Sequence, residues 1–162
     1  YTGEDTLSLH DALPICSAFI LSKQKRDMSV NKCLLNLTNE LGAYRTAIIK
    51  YSDGMAYMIY ESPEDVHNSI IGKFQGIRTS PLAGMLLELE KKGTVIVRSA
   101  FGDRIAMIHS AIGIETSYKF KIHKSIADGC LVIAFANERY LTDFEMNLIL
   151  SELTSLRLLN LK

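Results

Sequence analysis

The chain has 162 residues, 48% of them apolar, with 18 basic and 18 acidic side chains. That length fits one ordinary domain with a sizeable core. The balanced charge argues against a nucleic-acid or anionic-membrane partner, and no apolar run approaches the length of a membrane span.

Residues 1–16 are read apart from the rest. Thr6-Leu-Ser-Leu-His-Asp-Ala-Leu-Pro-Ile15 is what a common short-read sequencing adapter encodes in one frame, ACT CTT TCC CTA CAC GAC GCT CTT CCG ATC. Upstream adapter bases account for Tyr1 and begin Thr2, and a short index fills Gly3, Glu4 and part of Asp5. The last base begins the Cys16 codon. The segment is expected to be an unstructured artefact, with residues 17–162 forming a single domain. Any signal peptide, membrane span or partner domain upstream is then lost, and a membrane tether could come only through that missing N-terminus. His10, Asp11 and Cys16 are set aside as site residues. Without Glu4, Asp5 and Asp11 the balance is 18 basic against 15 acidic, or +3, still too mild to imply nucleic acid. The two remaining cysteines, Cys33 and Cys130, are far apart and fit no metal or redox spacing, so a reducing, cytoplasmic setting is the default.

In chain order, Val30, Leu34, Leu37 and Leu41 fall on one face of a helix that Gly42 stops. The charged stretch 22–27 could extend it into solvent. Tyr44–Tyr51 reads as a strand, Ser52-Asp53-Gly54 as a tight hairpin turn and Met55–Tyr60 as the returning strand. Ser62-Pro63-Glu64-Asp65 opens a short helix or loop. Ser80-Pro81 resembles an N-cap followed by proline, opening a helix through Leu82, Met85, Leu86 and Leu89 to Gly93. Thr94–Val97 is a short buried strand, and 103–112 has helical spacing. Ser117–Ile122 alternates as a strand, and a second Asp-Gly turn leads into the continuous apolar strand 130–136. Thr142-Asp-Phe-Glu145 is a capping box. The last helix carries a main stripe at Met146, Ile149, Leu150, Leu153 and Leu156. Phe144, Leu148 and Leu159 form a second group opposite it. The order implies an α+β fold, a central antiparallel sheet of about five to six strands flanked by helices.

The chemistry-bearing residues are few. The six methionines are scattered and read as core fillers. Lys119, Lys121 and Lys124 alternate along one strand and read as a solvated face, useful on an edge strand against aggregation. No hydrolase triad, metal cluster or phosphate-binding loop is visible. Gly72, Gly76 and Gly84 lack the strand-to-helix context of a phosphate cradle.

The C-terminal third resembles a GAF domain. It reads Tyr118-Lys-Phe-Lys-Ile122, Asp128-Gly129-Cys-Leu-Val-Ile-Ala-Phe135 and Arg139-Tyr-Leu-Thr-Asp-Phe-Glu145, a hairpin closed by an acidic-glycine turn and then a capped last helix. At the front, Leu41-Gly42-Ala43-Tyr44-Arg45 before Thr46-Ala-Ile-Ile-Lys50 is similar to the opening of the same family. The resemblance covers residues 22 to 162, with the middle matching least. A narrower likeness, to small virus-encoded proteins with a GAF-like domain behind a membrane segment, rests on Lys50-Tyr-Ser-Asp-Gly54 and the Met-containing strand after it.

The resemblance implies a regulatory, small-molecule-binding domain without catalytic activity, with a pocket between one sheet face and the elements in 61–116. Arg78, Arg104, His109 and Tyr118 are the candidate polar liners, and the arginines suit a small anionic ligand. The alternative is a ligand-free dimerisation or scaffold module. A homodimer is expected through the first and last helices, with Phe144, Leu148 and Leu159 at the contact. No cofactor is implied. The cyclic-nucleotide pattern of the family falls on Asn137-Glu138, Tyr140 and Phe144-Glu145, where only Asn137 and Glu145 match. Bilin attachment needs a cysteine in the pocket region, and neither Cys33 nor Cys130 lies there. The one enzyme class with this fold, free methionine sulfoxide reductase, needs exposed thiols, whereas both cysteines read as core residues.

Overall fold

A computed structural model describes residues 9–62, 69–99, 102–159 and 161, with the side chains of 9–19 and 103–105 left aside. Helix α1 (Leu9–Leu41) leads into strands β1 (Arg45–Ser52), β2 (Met55–Ser62) and β3 (Gln75–Arg78). Helix α2 (Ala83–Lys92), β4 (Thr94–Arg98), α3 (Asp103–Ala111), β5 (Thr116–Lys121), β6 (Cys130–Phe135) and α4 (Asp143–Leu158) follow. The strands form one six-stranded sheet in the order β3-β2-β1-β6-β5-β4. Every pairing is antiparallel. The α+β architecture expected from the sequence is the architecture observed.

Strand alternation splits the interior into two cores, because successive side chains leave opposite faces of the sheet. One core joins α1 and α4 to Ile48, Tyr118, Phe120, Leu131, Ile133 and Phe135. The predicted helix face Val30, Leu34, Leu37 and Leu41 is wholly buried in it. Gly42 ends α1 at φ 58°, a conformation that costs a Cβ-bearing residue about 1 kcal/mol or more. The second core joins α2 and the 70–77 segment to Ala47, Ile49, Met58, Val95, Val97, Cys130 and Val132.

The first hairpin signal holds as read, while Asp128 ends a 3-10 turn, Ile126–Asp128, within the longer connection from β5 to β6. Asp53 and Gly54 take φ 52° and 72°, the paired positive values that join β1 to β2 with matching twist. Thr142 and Glu145 form the capping box, with Glu145 N–H donating to Thr142 Oγ1 at 3.2 Å and Thr142 N–H to Glu145 Oε2 at 2.8 Å.

Other expectations are corrected. The helix α1 begins at Leu9, so residues 9–16 are helical where an unstructured segment was expected. Leu9, Ala12, Leu13 and Ile15 favour such an extension, whereas Pro14 disfavours it by about 3 kcal/mol, and nothing in the described residues explains why the helix runs through it. The strand β3 has no counterpart in the sequence reading, being four residues at the sheet edge with Gly76 inside and no alternation of burial. Ser80 is not the N-cap of α2. A single 3-10 turn, Ser80–Leu82, precedes α2 and holds Pro81 in its first positions. The strand β2 continues through Ser62, and residues 63–68 lie outside the described residues. The lysine stripe is not a solvated edge: β5 lies between β6 and β4, and Lys119 is half-buried under the second core's cover. On α4, Leu150 is 47% exposed, whereas Leu148 and Leu159 pack against the first core.

Candidate functional site

A cavity of about 60 Å³ lies on the second-core face of the sheet, under α2, α3 and the 70–77 segment. This is the side of the fold where the sequence placed a pocket. Its walls are mostly apolar, among them Ile49, Met58, Phe74, Met85, Val97 and Val132. Among the described residues, Arg45, His109, Ser117 and Lys119 bring polar or charged groups to it, beside the phenol of Tyr51.

Each is placed by local structure. Ser117 and Lys119 sit two apart on β5, so both leave the sheet on the cavity side, while Tyr118 and Phe120 between and beyond them enter the other core. His109 comes from the last turn of α3 and is buried. Its Nε2 lies 3.5 Å from Ser117 Oγ and its Nδ1 3.5 Å from Ser99 Oγ. Burial holds the His109 pKa below the ordinary imidazole value, and the positive charge of nearby Lys119 adds to this, so the ring is neutral near pH 7. Burial likewise pulls the Lys119 ammonium down to about 8.

Arg45 opens β1 and pairs with Glu61 on β2, Nη1 to Oε2 at 2.6 Å, with both side chains almost fully buried. The Glu61 carboxylate also accepts from the Ser69 hydroxyl and from the N–H groups of Ile70 at 3.2 Å and Ile71 at 3.4 Å. A buried pair of this kind is retained only with such added hydrogen bonds, because desolvation of both charges must be offset. The result is positional: it fixes the strand of chain that carries Ile70 over the cavity.

Of the four residues singled out in the sequence, His109 alone is described at the cavity. Arg78 is exposed at the end of β3, opposite Met55, and does not line it. The Arg104 side chain lies outside the described residues. Tyr118 is buried on the opposite face, where its hydroxyl donates to the Arg139 carbonyl at 2.8 Å. The parity of β5 decides this: once Tyr118, Phe120 and Ile122 face the helices α1 and α4, the residues between them face the cavity. The sequence reading missed Lys119, Ser117 and Arg45. The apolar run of β6 showed that strand to be covered on both faces, but no local signal extended that cover to Lys119 on β5.

Both cysteines are buried, Cys33 in α1 and Cys130 at the start of β6. Burial raises the Cys33 thiol pKa well above its usual value and that of Cys130 to about 12, so neither carries a thiolate near neutral pH. Among the described residues no group of metal-binding side chains is present, and no helix is long and apolar enough to cross a membrane.

No family model matches the chain, and no curated protein is similar to it in sequence. Its fold, in contrast, is close to solved structures. The phycoerythrobilin-bound GAF domain from a cyanobacterial phytochrome superimposes with a TM-score of 0.65 at 17% identity, over 92% of each chain. The cyanobacteriochrome receptor PixJ gives a TM-score of 0.65 at 12% identity, over 85% of this chain and 95% of its own. The GAF domain/HD domain protein from Geobacter sulfurreducens gives 0.62 at 10% identity, over 83% and 90%. The chain therefore has the GAF fold, a six-stranded antiparallel sheet with flanking helices.

A bilin does not fit here. The cavity of about 60 Å³ is far below the ~300–1,000 Å³ of sites for drug-sized ligands, and neither cysteine lines it. Cyclic-nucleotide recognition gains nothing either: Glu145 is committed to the capping box and Asn137 is exposed.

Proposed function

We propose that this chain is a regulatory GAF-type domain, without catalytic activity of its own, that senses a small anionic molecule in the cavity beneath α2 and α3. The observation that carries this reading is the convergence of Lys119, His109 and Ser117 in an otherwise apolar enclosure. Such a site combines area burial for the ligand body with a few polar groups that orient it. Lys119 takes the cationic role that the sequence reading gave to the arginines. The cavity volume of about 60 Å³ restricts the ligand to a compact one of a few heavy atoms. Two buried free thiols suit a reducing compartment, and we assign the domain to the cytoplasm on that basis.

Thermal-shift titration with a panel of short carboxylates tests the reading. One or more should raise the Tm saturably by mass action. The shift should vanish in Ala47→Leu, which fills the cavity. No shift across the panel would overturn it in favour of a ligand-free dimerisation module, the second reading. The observation behind that second reading is the apolar surface left on the outer helices, with Leu35 50%, Leu150 47%, Phe144 79% and Leu158 85% exposed.

A further inference from the structure

We propose that Lys119 is a carbonyl-capturing lysine, and that the cavity takes a short 2-oxo acid, which Lys119 holds reversibly as an imine. This deepens the small-anion reading above and rests on it.

Three observations converge. First, Lys119 extends from β5 into a cavity whose remaining walls are largely apolar. Second, among the described residues no carboxylate, carbonyl or hydroxyl accepts a hydrogen bond from its ammonium. Lys119 is half-buried, and a partly desolvated ammonium without an acceptor costs free energy that a methionine of similar shape would not, so packing gives no reason for a lysine here. Third, His109 and Ser117 stand beside it, 3.5 Å apart, as a neutral imidazole and a hydroxyl able to relay a proton.

A desolvated amine in an apolar pocket is the standard form of an activated lysine nucleophile. With its pKa pulled down to about 8, a substantial share of Lys119 is the free amine at neutral to mildly alkaline pH. The Nζ lone pair attacks the carbonyl carbon. A C–N bond forms and the carbonyl π pair moves to oxygen, which takes up a proton relayed from the amine through Ser117 and His109. A second proton, taken up from solvent through His109, then lets the nitrogen lone pair expel that oxygen as water and leaves a protonated imine. Nothing is oxidised or reduced, and hydrolysis reverses the step. A carboxylate adjacent to the carbonyl lies next to the new cationic nitrogen, so the ligand neutralises the buried charge by itself and the site needs no second cation.

Pyruvate with cyanoborohydride traps such an imine as a stable secondary amine. The full chain should gain one adduct that saturates with pyruvate, and peptide mapping should place it on Lys119 at least tenfold ahead of the exposed Lys91 and Lys124. Trapping should slow about fifty-fold between pH 8 and pH 6, as the free-amine share falls from about one half to about one hundredth. Lys119→Met should lose the adduct, while Lys124→Met should keep it. Adducts scattered over surface lysines, or none on Lys119 in the wild type, would overturn the proposal without need of any variant. A pyruvate-induced rise in Tm with no Lys119 adduct would leave the cavity reading standing and remove the imine. Absence of both, with no other carboxylate shifting the Tm, removes both.

Discussion

Arg139 and Glu145 are ion-paired across the entrance to α4, and the same guanidinium donates to the Leu41 carbonyl at the end of α1. One side chain therefore fastens the last turn of the first helix to the first turn of the last. It also stacks 4.7 Å over the Phe135 ring at the end of β6. Glu145 is shared between this pair and the capping box, and the Thr142 N–H, followed by Arg139, holds its carboxyl below the usual carboxylate range. Arg139→Ala should lower stability by about 1–3 kcal/mol, the scale for a partly buried charged hydrogen-bond group. Chemical denaturation of Arg139→Ala, Glu145→Ala and the double variant should give clear non-additivity, and full additivity would show the two residues to be independent.

The same carboxyl sets an acid dependence. Its folded pKa is depressed, so the unfolded chain binds the proton first as pH falls. The stabilisation is complete above the unfolded value of 4.5 and is lost as pH drops through the folded value. Wild type should lose more stability between pH 5 and about 3 than Glu145→Gln does, measured by urea midpoints. Equal slopes would remove the linkage.

Lys119 gives the opposite kind of test, a residue whose removal should help. Lys119→Met should raise stability near pH 7 by roughly 1–3 kcal/mol, as when a buried charge gives way to an apolar side chain. The folded pKa, about 8, lies below the ordinary 10.5. Between those values the unfolded chain carries more protons, so wild-type stability gains from Lys119 as pH rises. The advantage of the variant should therefore shrink from pH 8 towards pH 10. A destabilised Lys119→Met at pH 7 would show that the amine is structurally satisfied.

Assembly through the outer helices is expected to use the residues that the fold leaves exposed. The helices α1 and α4 lie side by side, tied by Asn36 Nδ2 to Glu152 Oε1 at 2.6 Å. Beside that contact, Leu35 and Leu150 are each about half exposed. Leu148 and Leu159, expected from the sequence at a dimer contact, are partly buried against the core, and Phe144 is largely exposed. A C2 dimer over this face should give a dimer mass in sedimentation at micromolar concentration, and Leu150→Glu should convert it to monomer with the Tm nearly unchanged. A wild-type monomer would sink the assembly reading.

Truncation before Ser17 tests the N-terminal segment. Among the described side chains of α1, the first in the first core is Val30. Removing residues 1–16 should leave unfolding free energy within about 1 kcal/mol, as for removal of a chain terminus. A larger loss would mean that the segment has been recruited into the fold.

What the sequence made legible follows from where periodicity is strong. The stripe Val30-Leu34-Leu37-Leu41, the apolar run 130–135 and the Thr142–Glu145 cap each express a short-range rule, and each appears as read. The strand β3 was hidden because an edge pairing of four half-exposed residues needs no pattern of its own. The site was only half legible for a different reason. His109 could be singled out by residue type, but Lys119 looked like surface, because a lone lysine between apolar residues reads as the outward face of a strand. Only the cover supplied by α2 and α3, brought over the sheet by chain connections far from β5, turns that outward face inward.

Lys119 and Phe120 share a peptide unit yet belong to opposite interiors, as do Ile48 and Ile49 on β1, where the ladder with β2 is broken by a bulge. The sheet is one residue thick, so a strand that shifts to accommodate a guest above must displace its neighbours below. Phe120 shares its core with Leu34, Leu37, Ile149 and Leu153 of the two long helices. Were the proposed ligand bound on the concealed side, its pressure on the strands would reach the helix pair through the sheet itself, as through a diaphragm.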